Sequence, residues 1–209
     1  MIPSLVIALG NSSSVSSLSL CDSRSITSAG LMVLSTLLLH PGSVKNLYLG
    51  QNNNINDNVA FSFANALVHN SNLVTLDFGH RNTAITDRGW EALANILCNK
   101  SSIESIHSSN HTLQHVNPFG SHLDSCLKLN RNDNKSEVAR QKIIEYHFSN
   151  GDSNMGIFID MELNALPHAI AWMGRNDAGH SLLYRFVRSL PALCDSESNK
   201  VKAAGVKRK

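Results

Sequence analysis

Large apolar residues recur along the first half of the chain at a nearly constant distance. The pattern Val15-x-x-Leu18-x-Leu20 is followed by Val44-x-x-Leu47-x-Leu49, by Leu73-x-x-Leu76-x-Phe78 and by Ile103-x-x-Ile106, in steps of 29, 29 and 30 residues. Because alternate side chains of a strand point to the same face, each pattern predicts a short strand with one buried face.

A second apolar pattern follows each predicted strand after a polar turn. An isolated isoleucine comes first, and then two large apolar residues four positions apart, which lie on one face of a helix. The isoleucines are Ile26, Ile55 and Ile85, and the pairs are Leu34 with Leu38, Phe63 with Leu67, and Leu93 with Leu97. A series of unrelated βα units is the alternative, but the shared register of strand, isoleucine and helix favours a true repeat.

These units resemble the ribonuclease-inhibitor-like subfamily of leucine-rich-repeat proteins, and the resemblance covers residues 15–116. It implies an α/β fold: a short solenoid with a concave parallel sheet and convex helices. Asn52 and Asn82 follow their strands, where an asparagine can bond the turning backbone of neighbouring repeats. The resemblance is almost silent on the ligand.

The repeat pattern breaks after Ile106. A final strand is predicted at residues 127–130. Helices are expected from Asn134 or Ser136 to about Phe148, from Pro167 through Met173, and over 182–190. We divide the chain into a partial N-terminal repeat or cap (1–14), leucine-rich repeats (15–132), an α-helical C-terminal cap (133–195) and a disordered basic tail (196–209). At the N-terminus, either the segment Leu5–Leu9 packs across the first repeat or the chain is a fragment of a longer array.

The predicted cap resembles the C-terminal region of uncharacterised leucine-rich-repeat proteins that are expanded in diatoms. The motifs that carry this resemblance are Asn134-Lys135, Val138-Ala139, Glu145-Tyr146-His147-Phe148, Leu166-Pro167-His168 and Ala171-Trp172-Met173-Gly174. The resemblance implies a role in protein interaction and supplies no catalytic residue.

Charge and composition narrow the range of partners. The net charge is +2, but five of the 18 basic residues lie among the last ten, which leaves 13 basic against 16 acidic side chains in the rest of the chain. Those 13 are dispersed, whereas a nucleic-acid-binding face needs clustered Lys and Arg. No apolar run approaches the ~20 residues of a membrane span. We expect a cytoplasmic monomer without nucleic-acid or membrane partners. Three interpretations of the basic tail stay open: a nuclear-import signal, a contact with an acidic partner, and a disordered terminus.

Motifs for catalysis and for metal binding do not emerge from the chain. G-x-S-x-G, Walker, G-x-G-x-x-G and H-E-x-x-H patterns are missing, and the four cysteines form no C-x-x-C pair. His107, His111 and His115 are candidate metal ligands. We expect Asp77 and Glu104 to lie near them. A spacing of four does not converge in a strand and its turn, so we predict no metal site there. We therefore expect no enzyme activity and no cofactor.

In each predicted strand, the side chains that alternate with the buried apolar residues are expected to point out of the concave sheet. These are the predicted partner-binding residues: Asn46, Tyr48, Gln51, Thr75, Asp77, His80, Glu104 and His107. One column across the repeats reads Ser19, Tyr48, Asp77 and His107, with Tyr48 as the aromatic anchor. A merely solvated sheet surface is the alternative.

The sequence thus predicts a non-catalytic module that binds a partner protein through the concave face. The alternative is a regulatory fragment of a larger leucine-rich-repeat sensor or GTPase-activating protein. For the latter, Arg81 is the candidate arginine finger.

Overall fold

Short strands and helices alternate along the first two thirds of the chain. A computed structural model describes residues 2–149 except 24, 41, 43, 53, 80–83 and 118–122, together with 166–175 and positions 181, 183, 184 and 188. The strands are β1 (Ser17–Ser19), β2 (Asn46–Tyr48), β3 (Thr75–Asp77) and β4 (His115–Asn117). The helices are α1 (Ile2–Gly10), α2 (Ser28–Ser35) with a 3₁₀ helix (Thr36–Leu39) after it, α3 (Asp57–Leu67), α4 (Asp87–Leu97), α5 (Ile103–His107), α6 (Asp124–Leu129), α7 (Lys135–Ser149) and α8 (Leu166–Arg175). The chain divides into two compact units, Met1–Ile143 and Ile144–Lys209.

The four strands form one parallel sheet in chain order, β1-β2-β3-β4. Leu18 is paired with Leu47, and Leu47 with Leu76, so these partners lie 29 residues apart as the apolar pattern predicted. Leu76 is paired in turn with Val116. The α/β class with a parallel sheet is therefore confirmed, and so is the register of the first three strands.

The helices that follow β1, β2 and β3 begin at side-chain caps that recur with nearly the same period. The cap residues are Thr27, Asn56 and Thr86, and each accepts a hydrogen bond from a backbone N–H in the first turn of its helix. Such caps stabilise a helix because its first N–H groups have no partner within the helix. The cap positions explain why all three helices start soon after a buried isoleucine.

The core of the first unit lies between the sheet and these helices. The isoleucines and helix pairs that the pattern placed inside are buried, namely Ile26, Ile55, Ile85, Leu34, Leu38, Phe63, Leu67, Leu93 and Leu97. Neighbouring helices contact one another in chain order from α1 to α4. The segment Leu5–Leu9 lies in α1, which packs against α2 and the 3₁₀ helix, as one of the two N-terminal alternatives anticipated.

The strand predicted at Ile103-x-x-Ile106 was wrong. These residues form α5, because the Ser102 side chain caps the N–H of Ser105 and starts a helical turn. The fourth strand comes 40 residues after its partner, at Val116 opposite Leu76. Leu113-x-x-Val116 is therefore the pattern that continues Leu73-x-x-Leu76, and α5 is an insertion before it.

The strand predicted at residues 127–130 was also wrong, because residues 124–129 form α6. Cys126 and Leu127 are both buried although they are adjacent, whereas a strand would turn one of them outward. Asn130 follows α6, and its amide donates to Asn110 O and Leu113 O, which anchors the end of the helix.

The predicted C-terminal helices are confirmed where the structure describes them. α7 begins after Asn134, whose side chain accepts a bond from Glu137 N, and α8 holds Pro167 in its first turn. Within the second unit, the Phe148 and Trp172 rings stack with their centroids 5.1 Å apart. The apolar segment 157–163, most of the helix predicted over 182–190 and the tail 196–209 lie outside the described residues. The predicted domain boundaries stay predictions.

Candidate functional site

The open side of the sheet carries two columns of polar side chains. Because the central residue of each strand points into the core, its neighbours point to the opposite side. One column is Ser17, Asn46, Thr75 and His115, and the other is Ser19, Tyr48, Asp77 and Asn117. Strands lie about 4.8 Å apart, so each column extends over about 14 Å.

Four of the predicted site residues are brought together in these columns. Asn46 and Thr75 are direct partners, and so are Tyr48 and Asp77. All four side chains are half-buried, so they stay accessible while the strand backbone holds their positions. The structure places these four residues on the open face of the sheet, and their role in partner binding stays a prediction.

The turns after β2 and β3 border the open face. Gln51 is exposed in the turn after β2 with φ of 63°, so it lies beside the columns and not in them. Asp77 Oδ1 accepts a 2.7 Å bond from Gly79 N, which ties the carboxylate to its own turn. Gly79 has φ of 85°, and a Cβ there would lie 2.7 Å from Gly50 Cα. His80 and Arg81 lie outside the described residues.

Two predicted site residues were placed wrongly. Glu104 and His107 lie in α5 and not in a strand, because the Ser102 cap makes residues 103–107 helical. The strand positions that they were expected to fill belong to β4, where Asn117 is paired with Asp77 and His115 with Thr75. The signal that would have found them is the apolar pair Leu113 and Val116, which has the same spacing as Leu73 and Leu76.

Three buried polar side chains of the first unit bond backbone carbonyls that lie far from them along the chain. Asn70 donates to Leu38 O at 2.9 Å, Asn110 donates to Leu67 O at 2.8 Å, and the Lys142 ammonium donates to Leu97 O at 2.7 Å. Each donor bonds a carbonyl near the end of a preceding helical segment. We call these three side chains the carbonyl-capping series.

Lys142, which lies in α7, is the last member of this series, and the sequence analysis did not identify it. Its side chain is 0% exposed, and no carboxylate of the described residues forms an ion pair with it. Burial lowers the pKa of Lys142 to about 8. The signal in the sequence is its position on the apolar face of α7, four residues after Val138 and next to Ile143.

An open pocket of about 330 Å³ lies beside the loops that precede β3 and β4. Lys135 and His111 are among its lining residues, but the Lys135 ammonium already donates to Asn130 O and Asn132 O at 2.8 and 2.9 Å. Burial and the nearby charge of Lys142 lower the pKa of His111 to about 4. His111 is therefore neutral at pH 7, and Nε2 lies 2.9 Å from His107 O, where it acts as a donor.

Two further features bear on chemistry and location. In the parts of the chain that the structure describes, no group of three or more His, Cys, Asp and Glu side chains is arranged to hold a metal ion. Of the described helices, none combines the length and the apolar character that crossing a membrane requires.

Comparisons with known proteins give little to add to this geometry. No protein-family model matches the chain, and no curated protein matches it. Among solved structures, the chain is similar to one described as "Leiomodin-1 Actin-Binding Site 2 (ABS2)", with 18% sequence identity and a TM-score of 0.43 over 71% of this chain and 95% of that one. A similarity of this degree carries no argument about fold or function.

Proposed function

We propose that this chain is a non-catalytic leucine-rich-repeat module that binds a partner protein through the open, concave face of its sheet. The observation that carries the proposal is the pair of polar columns that four strands hold in register, with Tyr48 and Asp77 side by side. The 29-residue spacing of the paired leucines and the recurring helix caps support the solenoid reading.

The composition of the face fits a protein ligand. Hydroxyl and amide groups of serine, threonine and asparagine surround one tyrosine, which combines a large apolar ring with a hydrogen-bonding hydroxyl. Interfaces draw much of their affinity from such aromatic anchors when adaptable polar groups surround them. Asp77 adds one carboxylate beside the anchor, which favours a partner that presents N–H groups or a cation next to an apolar surface.

The non-catalytic part of the proposal rests on the chemistry of the face. Thr75 and His115 are neighbours in one column, but the Asp77 carboxylate is in the other column and is bonded to Gly79 N, so the column with the hydroxyl and the imidazole holds no carboxylate to orient the imidazole as a base. The carbonyl-capping series holds its polar groups in structural bonds inside the unit.

Affinity capture with matched variants tests the proposal. Wild-type protein, Tyr48→Ala and Tyr184→Ala are immobilised, and proteins retained from a native lysate are identified and then titrated in purified form. Tyr184 is the control because it is a tyrosine that is 66% exposed and lies in the second unit, outside the sheet. We expect Tyr48→Ala to weaken binding by about 30-fold, corresponding to a hot spot of about 2 kcal/mol.

Circular dichroism and thermal melting establish that these variants, and an Asn46→Ala/Thr75→Ala double variant, are folded. A retained protein whose affinity is the same for wild type, Tyr48→Ala and the double variant does not use the open face. That result would refute the proposed mode of binding.

A further inference from the structure

Cys98 and Cys126 form a pair of buried thiols in the first unit. Cys98 follows the last residue of α4, Cys126 lies in α6, 28 residues later in the chain, and each is 3% exposed. Their side chains are hydrogen-bonded to each other, and both are thiols in the structure. Binding through the open face of the sheet uses neither of them.

A shared backbone acceptor fixes the segments that carry the two cysteines. Asn110 O accepts a hydrogen bond from Lys142 Nζ at 3.0 Å and from Asn130 Nδ2 at 3.2 Å. Lys142 Nζ also donates to Leu97 O, at the end of α4, at 2.7 Å. Asn130 N donates to Cys126 O at 3.0 Å. The ends of α4 and α6 are therefore tied to one point, which holds the two thiols together.

The Lys142 ammonium acts on both sulfur atoms. A hydrogen bond with Cys126, together with burial, raises the pKa of the Cys98 thiol, whereas the positive charge of Lys142 lowers it. Burial lowers the pKa of Lys142, and the two sulfurs raise it in turn. The thiolate is the form of cysteine that attacks an oxidant. The ammonium thus favours the reactive form of the pair at a site whose burial favours neutral thiols.

We propose that Cys98 and Cys126 are an oxidation site, at which hydrogen peroxide converts the two thiols to a disulfide within one chain while the Lys142 ammonium stabilises the attacking thiolate. A small oxidant fits the site because both side chains are nearly enclosed. The two sulfurs already touch, so they have only to close from hydrogen-bond contact to an S–S length of about 2.05 Å.

The reaction has two steps. In the first, one thiolate attacks a peroxide oxygen: an S–O bond forms, the O–O bond breaks, and the released hydroxide takes the proton of that thiol to give water and a sulfenic acid. In the second, the other sulfur attacks the sulfenic sulfur: the S–S bond forms, the S–O bond breaks, and the released hydroxide takes the second thiol proton to give water. The two thiols lose two electrons, which reduce the peroxide.

Peptide mapping of the full chain after treatment with hydrogen peroxide tests the site. Cys21 and Cys194 are replaced by serine, so that Cys98 and Cys126 are the two remaining thiols. Mapping is used because methionines also gain oxygen in peroxide. After denaturation without reductant, we expect neither thiol to be alkylated and one pair of peptides from the monomeric chain to be linked through Cys98 and Cys126. Dithiothreitol should restore both thiols.

The rate of disulfide formation tests the role of the ammonium. At pH 7 Lys142 is charged, because its pKa is about 8. Lys142→Met should slow the reaction by about threefold or more, since each pKa unit of lost thiolate stability lowers the thiolate fraction about 10-fold and raises its nucleophilicity by about threefold. Lys128→Met is the matched control, because Lys128 is exposed in α6, and it should leave the rate unchanged.

Three outcomes would overturn the proposal. In the first, both thiols stay open to alkylation under conditions in which peroxide oxidises the exposed thiol of Cys21 in the wild type. In the second, Cys98 and Cys126 gain oxygen as sulfinic acids, or link two chains, and do not join within one chain. In the third, Lys142→Met reacts as fast as its parent, which would remove the ammonium from the site.

Discussion

Substitution of Lys142 tests whether a buried ammonium caps the carbonyl at the end of α4. The Lys142→Met substitution keeps a long, flexible side chain and removes the ammonium. In the wild type the ammonium donates to Leu97 O at 2.7 Å and to Asn110 O at 3.0 Å. Asn110 O also accepts a bond from the Asn130 amide at 3.2 Å, so the variant leaves mainly Leu97 O without a donor. An unsatisfied buried carbonyl costs about 1–3 kcal/mol.

Burial of the Lys142 charge has the opposite effect on stability, because it destabilises the folded wild type and is absent from the variant. Burial lowers the pKa of Lys142 from 10.5 to about 8, and at about 1.4 kcal/mol for each pKa unit the charged form costs the folded state about 3 kcal/mol below pH 8. At pH 7 the two contributions nearly cancel, so the variant should unfold within about 2 kcal/mol of the wild type.

The pH dependence separates these contributions. Between pH 8 and 10.5 the unfolded chain keeps the proton on Lys142 and the folded chain loses it, so the unfolding free energy of the wild type rises with pH. A hydrogen bond with Cys126, together with burial, raises the pKa of the Cys98 thiol. This shift makes the unfolding free energy fall as the pH rises, but it is present in both the wild type and the variant. The difference in unfolding free energy, wild type minus variant, should therefore increase by about 3 kcal/mol from pH 7 to 10.5.

Urea denaturation followed by circular dichroism in reductant at several pH values measures this difference. Lys128→Met is the matched control because Lys128 is exposed in α6, and its curve should run parallel to that of the wild type. Parallel curves for Lys142→Met as well would show that Lys142 is not buried as a charge, and the reasoning would fail.

Two further predictions concern the repeats themselves. Leu76→Ala should lower the unfolding free energy by about 2–5 kcal/mol, because Leu76 is 0% exposed at the centre of the sheet. Unchanged thermal melting and circular dichroism would contradict the burial of the apolar strand residues. Gly89→Ala should cost about 1–3 kcal/mol in the same denaturation assay, since its Cβ would lie 2.6 Å from Asp57 Oδ1, which accepts the bond from Thr86 N. Gly174→Ala in α8, where a Cβ meets nothing within 4 Å, is its control, and equal effects of the two changes would argue against close packing of α3 and α4.

Much of the first unit can be predicted from the chain because its strands, caps and helices recur at a nearly constant spacing. The spacing of Leu18, Leu47 and Leu76 predicts which residues pair, and four of the eight predicted site residues follow directly from alternation beside those leucines. No contact between distant residues has to be known for these steps, since each unit carries its own strand, cap and helix.

The tertiary structure decided where this local pattern stops applying. Ile103-x-x-Ile106 and Leu113-x-x-Val116 fit the same apolar spacing, and only the second enters the sheet. Asn110 bonds Leu67 O, 43 residues earlier in the chain, and thereby holds the start of the fourth strand in place. Lys142 reaches Leu97 O across 45 residues.

The sequence by itself therefore determined the repeated units, whose stability comes from apolar periodicity and local caps. The end of the sheet, the identity of its fourth strand and the burial of a lysine were decided only by tertiary structure. The physical reason is that a buried carbonyl must find a donor, and which side chain reaches it depends on how distant segments pack and not on the residues beside it.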